Sequence, residues 1–250
     1  MFKIGKHMRA ILFTLFALAI GAIAFASEGA EFKREGGHVS ITGRIEAGDL
    51  RKFRSFLEDP EVLLEMLNGV ALNSHGGDVN AALGIARVLQ LSHATILVNK
   101  NSVCYSSCFL IFAGGSYRLV ASNAMLGVHR MTFAKPASMA ETEKMLDNVG
   151  MSVESYLRSA GIPERVIEKA RETPPSEMFR ITQRWLVEND IRLDYRPAFI
   201  DVVSKECGSE PINSGRDAGQ RAWLGCMEKV RWKEQHRNMP RIMGLILTGR

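Results

Sequence analysis

The sequence lacks most of the short motifs that mark metal and cofactor chemistry. It has no C-x-x-C, no H-E-x-x-H and no two histidines at ligand spacing, which argues against a zinc site. It has no G-x-G-x-x-G, and no G-K-S or G-K-T follows its glycine pairs, so neither a dinucleotide fingerprint nor a phosphate loop is present. The G-x-S-x-G elbow of the α/β-hydrolases is also missing. No segment is low-complexity and no internal repeat occurs. No apolar run reaches the roughly 20 residues that a bilayer span needs. Cysteine is scarce, with four among 250 residues. Neither a cofactor nor a metal is expected.

The first residues carry Lys3, Lys6 and Arg9, then the apolar stretch Ile11–Phe25, then the small-x-small pattern Ala24–Ala26 before Ser27. Those are the three parts of a secretory signal peptide, so residues 1–26 are expected to be removed on export. The alternative is an uncleaved anchor with some membrane proximity, for which an apolar run of about 15 residues is short. Without the three cations the formal charge of +5 falls to +2, so a nucleic-acid partner is not expected. The basic stretch Lys229–Arg241 reads as a solvated tail rather than a polyanion-binding arm.

Export permits disulfides. Cys104, Cys108, Cys207 and Cys226 allow three complete pairings. The local choice joins Cys104 to Cys108, since residues i and i+4 of a helical turn lie about 6 Å apart at Cα. It also joins Cys207 to Cys226 and closes a short C-terminal loop.

Along the chain, strands are expected over 37–45, 69–74 and 94–100, and in the stretches "YRLVAS" and "AMLGVHR". Helices are expected over 47–59, 78–91 and 138–161, after Pro163, and over 181–191 running into a last strand. "SSCFLIFAGG" is apolar all round and reads as a buried helix stopped by glycine. The alternation predicts an α/β domain with a mostly parallel sheet over 37–195. Residues 200–250 then form an extension and basic tail, with loops at Pro211, Gly215 and Gly219.

Three features carry chemistry. "LNSHGGDV" (Leu72–Val79) is a glycine turn between strand and helix, either an anion or oxyanion cradle or simply a tight turn. "SVCYSSCF" (Ser102–Phe109) places serines in the first turn of a buried helix, near N–H groups that can hold an oxyanion, where a plain serine is otherwise a cap. "MLGVHR" (Met125–Arg130) ends a strand with His129, a candidate general base or merely a half-buried residue.

Taken together, "LNSHGGDVNAALGIARVLQ" and "CYSSCFLIFAGGSYRLVASNAMLGVHR" resemble the Clp peptidase and crotonase superfamily over roughly residues 37–195. The shared elements are an N-S-x-G-G-x-V turn, a serine turn, a G-x-x-x-R stretch and a terminal histidine. The closest subset is the exported, periplasmic Clp-like proteins with a C-x-S-x-C serine turn. The resemblance implies repeated β-β-α units and an ATP-independent serine peptidase acting on peptides or proteins, with periplasmic or secreted location and homo-oligomeric assembly. It implies Ser106 as nucleophile, His129 as base, and the N–H groups of Gly77 and Ser107 as the oxyanion hole. Substrate would bind as an added strand past "SHGGDV".

The sequence departs from that pattern in two places. His75 stands where the Clp enzymes carry proline. Met178 stands where the triad aspartate belongs, and a thioether cannot orient an imidazole. Neighbouring Glu177 is a possible third member; a Ser–His dyad is the other option. Related signal-peptide peptidases use a Ser–Lys dyad, for which Lys144 is the candidate, against a solvated lysine among Glu141, Glu143 and Asp147. Two rival readings follow: an inactive Clp-like scaffold that binds peptides or partners, and crotonase-type thioester chemistry.

Overall fold

The computed structural model describes residues 29–131, 153–211 and 218–249. The leader and Lys144 lie outside them, as does most of the helix expected over 138–161, of which residues 153–159 are helical. Among the described residues no helix is long and apolar enough to cross a membrane.

A five-stranded sheet has the order β1 (Glu31–Arg34), β2 (Val39–Thr42), β3 (Val70–Asn73), β4 (Thr95–Val98) and β6 (Tyr117–Val120). Only β1 runs antiparallel; β2, β3, β4 and β6 are mutually parallel. Helices α1 (Asp49–Phe56), α2 (Pro60–Asn68) and α3 (Val79–Leu91) connect and cover these strands. The strands are short and rich in Val, Ile and Leu, and their inward residues are buried, as expected of parallel strands covered by helices. The fold is therefore α/β with a mostly parallel sheet.

A second sheet of three strands has the order β5 (Val103–Tyr105), β7 (Met125–Val128) and β8 (Phe179–Ile181). β5 and β7 are parallel, and β8 is antiparallel to β7. Helix α4 (Ser107–Ala113) follows β5 and is buried along its whole length. The remaining elements are α5 (Glu164–Glu172), α6 (Gln183–Glu188), α7 (Pro197–Cys207) and α8 (Ala218–Thr248). α2 and α3 start on Asp59 and Asp78, whose side chains accept from Glu61 N–H and Ala81 N–H.

Three sequence expectations are corrected. Ile181 closes β8 rather than sitting in a helix, because pairing with Leu126 of β7 outweighs a local helical pattern. The "last strand" after α6 reduces to one antiparallel bridge, Tyr195 to Tyr117. The extension over 200–250 is largely helical, in α7 and α8, so Gly219 lies in α8 rather than in a loop while Gly215 is outside the described residues, and the stretch 229–241 is not a solvated tail. Those residues form the middle of α8, where Arg231, Glu234 and Gln235 are buried.

The reason lies in the ends of other helices. The last carbonyls of a helix have no partner within it. Gln235 Nε2 donates to Leu67 O of α2 at 2.9 Å, and Arg231 Nη1 donates to the same carbonyl. Asn238 Nδ2 donates to Leu91 O of α3 at 3.1 Å. Beyond them Ile242 and Ile246 enter the main hydrophobic core.

Arg118 of β6 is a buried cation with no carboxylate in contact among the described residues. Its guanidinium donates to the carbonyls of Gly115 (3.0 Å), Leu193 (3.2 Å), Ala113 (2.9 Å) and Ala160 (2.6 Å). Burial still lowers its pKa to about 10.

His93 follows α3 at φ +46, with Nδ1 3.1 Å from Ser116 Oγ. Burial, helped by Arg196 and Arg231, lowers its pKa to about 4. An unfolded chain protonates this imidazole near 6.5, so between 6.5 and 4 unfolding takes up a proton. Stability should therefore fall as pH drops through that window, by on the order of 2 kcal/mol. Urea denaturation between pH 7 and 4 measures the slope, and His93→Asn, which tolerates the same backbone, should flatten it.

Candidate functional site

Two parallel strands bring the serine and the histidine together. β5 and β7 pair with Tyr105 opposite Gly127, and both end on the same edge of the sheet. Ser106 is the first residue past β5, and His129 the first past β7. Neighbouring strands lie about 4.8 Å apart, so side chains leaving adjacent strand ends meet. His129 Nε2 lies 2.7 Å from Ser106 Oγ.

Ser106 does not cap α4. Its side chain accepts no bond from the first turn of that helix, and its backbone sits at φ +56, ψ −126. That region is sparsely populated by residues with a Cβ and persists only where the surroundings impose it. Two restraints impose it here. Ser106 N–H donates to Gly127 O at 3.0 Å. The Cys104–Cys108 disulfide, with Cα atoms 5.1 Å apart, closes the chain from the end of β5 to the first turn of α4. Both cysteines are fully buried, whereas Ser106 is half-buried and can be reached.

The glycine turn lies against this serine. Ser74 N–H donates to Val103 O and Tyr105 N–H donates to Ser74 O, which ties the end of β3 to β5. Ser74 Oγ accepts from Gly76 N–H at 3.0 Å. A Cβ on Gly76 would come within 2.9 Å of both Ser106 Cβ and Ser107 N, and a Cβ on Gly77 within 1.9 Å of Ile45 O. Both glycines have positive φ, +88 and +147. Only glycine lets the turn approach so closely.

The flanking bonds to Ile45 run from Asp78 N–H and to Gly76 O, so Gly77 directs its own N–H away from Ile45. Ser107 N–H is the first of α4 and has no acceptor within the helix. Neither N–H enters a backbone hydrogen bond among the described residues. Two donors near an accessible hydroxyl can hold a developing oxyanion.

Burial lowers the pKa of His129. The ring is then neutral at pH 7 and can take a proton at Nε2 if Nδ1 carries the hydrogen. Nδ1 is buried and has no hydrogen-bond partner among the described residues. β8 shows why. Its register ends with Val128 paired to Phe179, so the residue just before β8, Met178, comes up against this end of β7. The Met178 thioether lies over Gly127, where a Cβ would be 2.7 Å from Sδ. Glu177 is exposed, in the turn that its N–H closes on Pro174 O, and the structure does not bring it to His129. His75 is exposed, edge-on to the Tyr105 ring at 5.8 Å.

The second disulfide joins Cys207 to Cys226, so α7 is stapled to α8, and all four cysteine sulfurs are in disulfides. Sequence reasoning passed over Ser74, Gly76 and Gly127. The first two were visible in "NSHGG" only as a turn. Nothing in the sequence marked Gly127 as the acceptor for Ser106 N–H.

Removing the turn disulfide with Cys104→Ala/Cys108→Ala should lower stability by roughly 2 kcal/mol, the chain-entropy value for so short a loop. Chemical denaturation under non-reducing conditions measures it, and far-UV circular dichroism should keep its native shape.

No protein-family model matches the sequence, and no curated protein matches it. Among solved structures, an alanine mutant of the 1510-N membrane-bound stomatin-specific protease is similar with a TM-score of 0.45 and 15% identity, over 68% of this chain and 83% of that one. ClpP1 from Listeria monocytogenes is similar with a TM-score of 0.43 and 16% identity, over 64% of this chain and 92% of that one. A point mutant of the same Listeria protein gives 0.44 and 18%, over 63% and 91%.

Proposed function

We propose that this chain is an exported, ATP-independent serine peptidase working through a Ser106–His129 dyad. The observation that carries the reading is the 2.7 Å approach of His129 Nε2 to Ser106 Oγ, on a serine held at φ +56 beside two unused N–H groups. Ser106 Oγ attacks the peptide carbonyl carbon while His129 takes its proton. The N–H groups of Gly77 and Ser107 hold the oxyanion. His129 then protonates the departing amine, and water releases the acyl group by the same steps in reverse roles. Two disulfides favour an oxidising compartment, periplasmic or extracellular. Peptide or protein substrate and homo-oligomeric assembly complete the proposal.

A fluorophosphonate probe tests it. Labelling of the purified protein should disappear in Ser106→Ala and drop steeply in His129→Ala. Because burial depresses the histidine, the labelling rate should rise with pH through a midpoint below 6.5 and then level off. An unlabelled wild-type protein between pH 5 and 9 would sink the reading, since a nucleophilic serine reacts somewhere in that range.

The unpartnered Nδ1 of His129 favours a second reading, a Clp-like scaffold that binds peptides with little or no turnover. Met178→Asp separates the two. It sets a carboxylate against the end of β7 that carries His129, from where a triad member would orient the ring and stabilise the imidazolium. The dyad reading expects labelling to quicken by about tenfold or more. A scaffold would gain nothing.

A further inference from the structure

The end of α3 remote from the Gly76–Gly77 turn holds a second concave feature. A cavity of about 740 Å³ opens between the last turn of α3, the start of α7 and the far half of α8. That volume is in the range of small-molecule sites. At about 1.5 Å per residue, α3 separates it from the Ser106 end by roughly 20 Å.

Its lining has charge of one sign. Arg87, Arg196 and Arg241 face it, with His93, and among the described residues no aspartate or glutamate does. Arg87 and Arg241 are exposed and form no ion pair among the described residues. Arg196 is only 8% exposed. Its Nε has no partner among the described residues, and its Nη1 reaches Gln90 O at 3.4 Å, the weak limit of a hydrogen bond. A buried guanidinium left in that state is unfavourable unless an anion completes it. Arg118 adds a further buried cation behind this site, its guanidinium bonded to main-chain carbonyls. Leu91 and Leu245 add an apolar wall beside the cations.

We propose that this cavity binds an organophosphate, a phosphate monoester head on a short apolar body. Three guanidiniums exceed what a single carboxylate would neutralise. A phosphate dianion accepts paired N–H donors from more than one arginine at once. The apolar body lies along Leu91 and Leu245.

Calorimetric titration of the purified protein with octyl phosphate tests this. Saturable binding with a Kd of about 100 µM or tighter is expected, with inorganic phosphate and octanoate each at least about tenfold weaker and octan-1-ol inert. Arg87→Gln/Arg241→Gln alters two exposed residues and should leave the melting temperature and fluorophosphonate labelling unchanged. It should weaken octyl phosphate by about tenfold or more. Phosphatidic acid vesicles separate the two sources of this chemistry. Recruitment lost in the double variant assigns the head to a lipid; no recruitment, with octyl phosphate still bound, assigns it to a soluble phosphate. Failure of octyl phosphate to saturate, or an equal Kd in the double variant, would overturn the proposal.

Discussion

The parallel ladder between β5 and β7 sets the position of both reactive side chains. Tyr105 opposite Gly127 is its last pair, and Ser106 N–H continues it by one bond to Gly127 O. A slip of one residue would turn Ser106 or His129 to the opposite face of the sheet. The bonds from Ser74 to Val103 and Tyr105 carry the same registration across to β3 and so bring the two glycines alongside. Three short strand ends thus converge through main-chain bonds, and the side chains add the 2.7 Å contact.

Much of this was legible in the residues. Alternating short β-branched runs and helical periods gave α/β with a mostly parallel sheet, and i, i+4 spacing favoured Cys104 with Cys108. A strand entering a buried helix marked the serine pair, of which only the family resemblance singled out Ser106, and a strand end marked His129. Other parts left no local trace. β8 is three residues long, too short for a period to register, and only β7 makes it a strand. Glu177 and Met178 are adjacent in sequence, but Met178 packs its thioether against Gly127 of β7 while Glu177 is exposed. The basic stretch of α8 looked solvated because nothing in it reveals that Arg231, Gln235 and Asn238 would meet the carbonyls of Leu67 and Leu91. The helix also runs through Pro240 to Thr248.

α8 has a consequence for the whole molecule. It caps α2 and α3 at their C-terminal ends and then inserts Ile242 and Ile246 into the same core that lies under the serine turn. The Cys207–Cys226 bond holds its first half to α7 around Phe199, Val203, Trp223, Met227 and Val230. What reads from sequence as an appendage is continuous with the packing of the central domain.

Arg118 gathers carbonyls from places far apart in the chain: the end of α4, the turn after it, Ala160 and Leu193. A half-assembled chain offers this guanidinium water or nothing. Once it is dehydrated, losing any one of those segments leaves a positive charge inside with too few acceptors. The residue therefore acts as a checkpoint on assembly. The five-stranded sheet that carries Arg118, the helix that follows Ser106 and the segments at Ala160 and Leu193 are tied into one cooperative unit, so intermediates with only one of them in place are disfavoured.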